Sequence, residues 1–340
     1  MKKRGVSNFP FVLIFVLIAG AVVLTFFFTS GKDILNIGEK VNRLEIISLL
    51  DKKLASFSLL PDAIDIFYLP VKPENNEGIE IKCMPDKKGS RIIYKEASRT
   101  NSRDIYKDTR KLIISPAKLK ERDISTWTLA WNYPFKIENF YYLTNKKVQF
   151  IFSNSFIQPQ EKEFHKKITR QTNKFIISNL ENPHSLNTFD KNIFVIQTLN
   201  EINNIPISPK NKFLVVDTVN KKVIFYKYDN TYEGQEDYWN DEMLIAAIFA
   251  ENYDEYKCIK ELAKKRLEAV TEVYIKKIEL LNQKTDITNC DYNGKFITNN
   301  LLSKFKENPL SNYQAIQDSN DQLKTTTQSG SSRPQTCPSL

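Results

Sequence analysis

Glycine is scarce in this chain, 9 of 340 residues, where roughly 7% is usual. A loop that cradles phosphate needs clustered glycines so that backbone N–H groups can approach the oxygens. No two of Gly5, Gly20, Gly31, Gly38, Gly78, Gly89, Gly234, Gly294 and Gly330 fall at a G-x-G or G-x-x-x-x-G-K spacing. Walker-A and Rossmann chemistry are thereby excluded as readings. Histidine is scarcer still. His165 and His184 are too few for most His-built metal centres, and the four cysteines, Cys83, Cys258, Cys290 and Cys337, contain no C-x-x-C pair. Zinc ribbons, zinc fingers and thioredoxin-like motifs drop out, and so do G-x-S-x-G, H-E-x-x-H and a Cys-His signature. The residues supply no cofactor or metal expectation and no catalytic set. The carboxylates Asp217, Asp229, Asp237, Asp241 and Glu242, with either histidine, are the raw material for an acid-base site, but no spacing singles them out.

The net charge of +9 is carried mostly by lysines spread along the chain. A nucleic-acid footprint is a clustered stripe or a known module, so no nucleic-acid partner is expected.

What is present begins at the N-terminus. Lys2, Lys3 and Arg4 precede a run from Phe9 to Phe28, FPFVLIFVLIAGAVVLTFFF, that holds no charged residue. Twenty residues at 1.5 Å each span about 30 Å, the thickness of a bilayer's hydrocarbon core. The basic flank places residues 1–8 in the cytoplasm, 9–29 in the membrane and the remainder outside the cell, with Lys32 and Asp33 nearly cancelling after the span. Phe26, Phe27 and Phe28 crowd the end of the run where a cleaved signal needs small residues, so the segment reads as a retained anchor whose first partner is the lipid bilayer.

Lys3-Arg4-Gly5, followed by Val6-Ser7 and the apolar run, resembles the leader of archaeal prepilins, and the whole layout resembles single-span membrane proteins of small archaea. The resemblance implies a cut between Gly5 and Val6 that leaves the apolar helix on the mature chain. Pro10 stands five residues after that cut, where bacterial pilins carry Glu. Beyond the span, Ile34, Ile37, Val41, Leu44, Ile47, Leu50, Leu54 and Phe57 recur at intervals of three and four, one continuous face of an amphipathic helix over 32–60 that Pro61 ends.

From 62 to 235 short β-type runs alternate with turn residues: 64–69, 79–83, 91–95, 112–115, 125–131, 140–143, 148–153, 194–196, and a hairpin of 213–217 with 223–228 around Asn220, Lys221 and Lys222. A helix over 161–170 is expected within this region. The aromatic stretch Trp127, Trp131, Tyr133, Phe135, Phe140, Tyr141 and Tyr142 has the residue types of a stacking platform for sugar or peptide. Trp127, Leu129 and Trp131 alternate as one buried strand face does, so core packing is the reading taken.

Residues 238–308 read as a helical subdomain: a short apolar helix over 242–250, a long amphipathic one over 254–283 capped by Asn252 or Asp254, and a returning helix over 296–305. Residues 309–340, rich in Ser, Thr, Gln and Asn, read as a disordered tail. Outside the cell disulfides are permitted, and Cys258 with Cys290 is the candidate pair, provided the chain folds back along the helix. Cys83 with either of them, or free buried thiols, are the alternatives, and Cys337 lies in the tail.

The expectation is thus an α+β protein: an N-terminal transmembrane helix continuing into an amphipathic helix, a β-rich ectodomain and a helical C-terminal part. Its expected role is structural or interactive at the cell surface, with protein partners or self-association there. A pilin-like subunit and an anchored hydrolase are the alternatives.

Overall fold

A computed structural model describes residues 20–21, 43–60, 62–70, 73, 77–95, 104–153, 176–181, 185–203, 205–283 and 301–325. The apolar run, apart from Gly20 and Ala21, lies outside the described residues, as do the Gly5–Val6 cut and the expected helix over 161–170. Among the described residues no helix is long and apolar enough to cross a membrane.

The chain is α+β, a β-rich body followed by C-terminal helices. Helix α1 covers residues 43–56. Thirteen strands follow among the described residues: β1 Ile64–Tyr68, β2 Gly78–Met84, β3 Gly89–Lys95, β4 Ile105–Thr109, β5 Leu112–Ile114, β6 Asp123–Asn132, β7 Lys136–Thr144, β8 Val148–Phe152, β9 Ile176–Asn179, β10 Lys191–Ile196, β11 Asn211–Asp217, β12 Lys222–Tyr226 and β13 Tyr232–Asp237. Helices α2 Asp241–Phe249, α3 Tyr253–Asn282, α4 Leu301–Glu307 and α5 Pro309–Thr325 complete the described chain.

The strands form three sheets: β1-β6-β7-β5, the antiparallel β2-β3-β4, and β13-β12-β11-β10-β8-β9. In the six-stranded sheet β9, β8, β10 and β11 run parallel, whereas β12 and β13 return antiparallel. The hairpin of β11 with β12 stands where Asn220 and Lys221 predict it, with Lys221 at φ 52°.

Alternation along the four-stranded sheet divides the interior in two. Trp127, Leu129, Trp131, Phe140 and Tyr142 point into the main core, which they share with Phe150, Val195, Leu214 and Phe225 of the six-stranded sheet. Ile113, Ile124, Tyr141 and Leu143 point the other way, into a second core closed by Ile79, Ile81, Ile92 and α1. The expected face of α1 is the one that packs: Ile47, Leu50 and Leu54 are fully buried, while Leu44, the first residue of that face among the described residues, is exposed. Asp51 on this helix accepts from Lys107 and Lys111. Burial alone would raise its carboxyl, but the hydrogen bonds from the two lysines hold it below the usual carboxylate range. The aromatic stretch is core, as read: Trp131 and Tyr142 are fully buried.

The main core explains why α2 shows no polar face. Met243 through Phe249 are all buried, as expected for a helix enclosed on every side. Asn240 caps it by accepting from Met243 N at 3.2 Å. In α3, Tyr256, Ile259, Ala263, Leu267 and Ile278 face the same core, and Asn252, one of the two caps expected, accepts from Glu255 N at 3.0 Å. The C-terminal helices therefore share a core with the sheets.

One expectation is corrected at the C-terminus. Residues 309–325, read from composition as tail, form α5. Pro309 opens it at the position where a missing N–H costs nothing, Ile316 is fully buried, and Tyr313 stacks on Tyr133 with ring centroids 4.4 Å apart. Three apolar residues at helical spacing, Leu310, Tyr313 and Ile316, outweigh a polar average. Residues 326–340 lie outside the described residues.

Candidate functional site

The carboxylates singled out in the sequence do not converge. Asp217 accepts from Asn220 N at 2.9 Å and Nδ2 at 2.7 Å in the β11–β12 turn, and Asp229 accepts from Thr231 N at 3.0 Å in the next turn. Asp237 and Glu236 share Lys260, at 2.5 Å and 2.7 Å. Burial would raise the Asp237 carboxyl, and Lys260 brings it below its ordinary value. Asp241 and Glu242 occupy the first turn of α2. They favour the positive end of that helix. His165 and His184 lie outside the described residues. Among the described residues no group of three or more His, Cys, Asp or Glu is placed to hold a metal ion.

Among the described residues a set of perturbed ionisable groups gathers elsewhere, at the end of the six-stranded sheet where β10 and β11 begin. A cleft of about 180 Å³ there is lined by Lys191, Asn211, Lys212, Tyr226, Glu233 and Glu251 among others. Lys212 has the same strand parity as Leu214 and Val216, so its side chain enters the main core and is 4% exposed. Its Nζ donates to Ala247 O at 3.2 Å, Ile248 O at 3.4 Å and Ala250 O, and sits 5.2 Å from the Phe225 ring centroid. These carbonyls close the C-terminus of α2, where helix acceptors are left without intrahelical donors and the dipole is negative.

Burial pushes the Lys212 ammonium down to about 7, nearby Lys191 adds to that, and Glu255, Glu233 and Glu251 oppose it. Burial likewise pushes the Lys191 ammonium down. Glu255 is pushed up to about 8 by burial. It accepts from Glu251 N at 2.6 Å, while its Oε1 has no hydrogen-bond partner among the described residues. Perturbed groups of this kind mark either a reactive site or a structural lock. Here the Lys212 donors are spent on carbonyl oxygens, so the side chain works as a cap on a buried helix end.

The second concentration of chemistry is covalent. Cys83 of β2 and Cys258 of α3 form a disulfide, with Cα atoms 6.1 Å apart and a sequence separation of 175. The expected Cys258–Cys290 bond is thereby corrected: α3 lays its first turns against the end of β2, so the Cys258 thiol is taken by Cys83, the alternative partner. Cys290 and Cys337 lie outside the described residues.

Arg266, two turns beyond Cys258 on α3, reinforces this junction. It donates to Lys88 O at 3.0 Å and to Arg110 O, and pairs with Glu138 of β7. Burial pulls its pKa down to about 10. Gly89 permits the approach of these turns, since a Cβ there would strike the Thr109 carbonyl. Beside it the Ser90 hydroxyl accepts from Ile113 N at 2.9 Å and donates to Ile113 O at 3.2 Å, supplying the edge of β5 with the partners that a missing strand would give.

Sequence reasoning missed Lys212, Glu255 and Arg266. A signal existed for the first: a lysine at core parity immediately before the apolar run from Phe213 to Val216 announces an acceptor inside. For Arg266 no local pattern sets it apart from Lys264 and Lys265. The chain matches no protein-family model, no curated protein and no solved structure.

Proposed function

We propose that this protein is a membrane-anchored extracytoplasmic protein with a structural or interaction role, held in the bilayer by residues 9–29. The observation that carries the reading is the charge-free run from Phe9 to Phe28 behind Lys2, Lys3 and Arg4. The Cys83–Cys258 disulfide supports it, because such bonds persist mainly in oxidising compartments. Protease added to intact cells is expected to reach the region beyond residue 30, and full protection of that region overturns the reading.

A pilin-like subunit, cut between Gly5 and Val6, is the second reading. It is favoured by α1, whose apolar face lies against sheet residues Ile81, Ile92 and Tyr141, the arrangement of a stalk helix running onto a folded head. Mass spectrometry of the mature N-terminus separates the two: a chain beginning at Val6 selects the pilin-like reading, and a chain retaining Lys2 to Arg4 rejects it.

A further inference from the structure

The disulfide joins two segments that lie near opposite ends of the described chain, and everything from β3 to β13 lies inside the covalent ring that it closes. On the N-terminal side of the ring are α1, β1 and nearly all of β2; on the C-terminal side are the rest of α3, α4 and α5.

Both arms are fastened to the body close to the bond. On one side α1 is seated through Ile47, Leu50 and Leu54, and Asp51 reaches Lys107 of β4 at 2.9 Å. On the other, Arg266 lies eight residues beyond Cys258, about 12 Å along the helix, and holds the Lys88 and Arg110 carbonyls of the two turns next to Cys83. The bond and the arginine thus attach α3 to the β2–β4 sheet at consecutive points along one line.

We propose a mechanical function for this junction: tension between the anchored N-terminal side and the C-terminal helices passes from β2 straight into α3 through Cys83–Cys258, so that β3 to β13 are not in the path of the force. The inference rests on the anchored reading above, which supplies the fixed end. Without the bond, the same pull runs through each strand of all three sheets in turn. With it, only α1, β1, β2 and the segment from α3 onward can be drawn out.

The test is single-molecule force spectroscopy on the full chain in a lipid nanodisc, held by the disc and by a handle at Leu340. Oxidised protein is compared with the same protein under dithiothreitol and with Cys83→Ala/Cys258→Ala. The oxidised chain is expected to extend less on complete unfolding by about 600 Å, the contour length of the ring at roughly 3.5 Å per residue, and dithiothreitol should restore that length. Equal extension with and without reductant overturns the proposal. The comparison with reductant uses the natural sequence, so it stands if the double variant does not fold. It also fails separately from the anchored reading: equal extension leaves an externally exposed domain in place, whereas a domain shielded from external protease removes the fixed geometry whatever the extension shows.

Discussion

Replacing Lys212 by Met tests whether the buried side-chain amine is the cap of α2. The side chain keeps its length and loses its donors, so the carbonyls of Ala247, Ile248 and Ala250 are left without Nζ in a site that is 4% exposed at residue 212. A buried carbonyl stripped of its donor costs about 1–3 kcal/mol, and the two N–H donors of the neutral amine that prevails at pH 8 set a gross loss of about 4 kcal/mol. The variant recovers the cost of desolvating the amine, which offsets about half of that loss. The net expectation is a destabilisation of about 2 kcal/mol at pH 8, read as a lower urea midpoint at unchanged slope. The pH dependence has a definite sign. The folded-state pKa, about 7, lies below the ordinary 10.5, so the contribution of Lys212 to stability is complete above 10.5 and is lost as pH falls towards 7. The gap between natural protein and variant should therefore narrow on acidification from pH 10 to pH 7. A loss below about 1 kcal/mol, or a gap that widens on acidification, refutes the assignment.

Glu255→Gln should act in the opposite pH range. A carboxyl raised from 4.5 to about 8 contributes stability below pH 4.5 that disappears as pH rises to 8, so the natural chain should lose stability across that interval and the Gln variant should lose less, by urea titration at pH 5 and pH 8. Ser90→Ala leaves Ile113 N and O at the β5 edge without their hydroxyl partner, an expected cost of about 2 kcal/mol in the same assay. Tyr313→Ala removes the ring stacked 4.4 Å from Tyr133, and amide hydrogen exchange in residues 309–325 should accelerate by an amount equivalent to about 2 kcal/mol while the strands keep their protection.

Elements governed by local pattern were legible in the sequence. The period-two runs around Ile81, Ile92, Trp127 and Tyr142 became strands, and the three-four spacing from Tyr256 to Ile278 became α3. What local pattern does not encode was missed. Strand β4, with Tyr106, Lys107 and Asp108 in succession, and β13, with Gly234 amid Glu233 and Glu236, owe their place to neighbours that pair with them. The parallel order of β8, β10 and β11 depends on how crossovers pass over the sheet, a long-range matter. The cysteine pairing failed for the same reason: separation along the chain suggested Cys258 with Cys290, whereas the packing of α3 on β2 brings Cys83 to within 6.1 Å by Cα. Lys212 and Arg266 act through carbonyls supplied by distant segments, so their roles emerge only once the fold is assembled.

The proposed anchored topology turns on which side of the membrane the folded body occupies. Lys146, whose side chain is 68% exposed at the end of β7, offers a direct readout. An amine-reactive reagent that does not cross membranes, applied to intact cells and followed by peptide mass mapping, should modify Lys146 to the same extent as in lysed cells, with Lys2 and Lys3 modified only after lysis. Modification of Lys146 only after lysis would contradict an anchored, outward-facing protein.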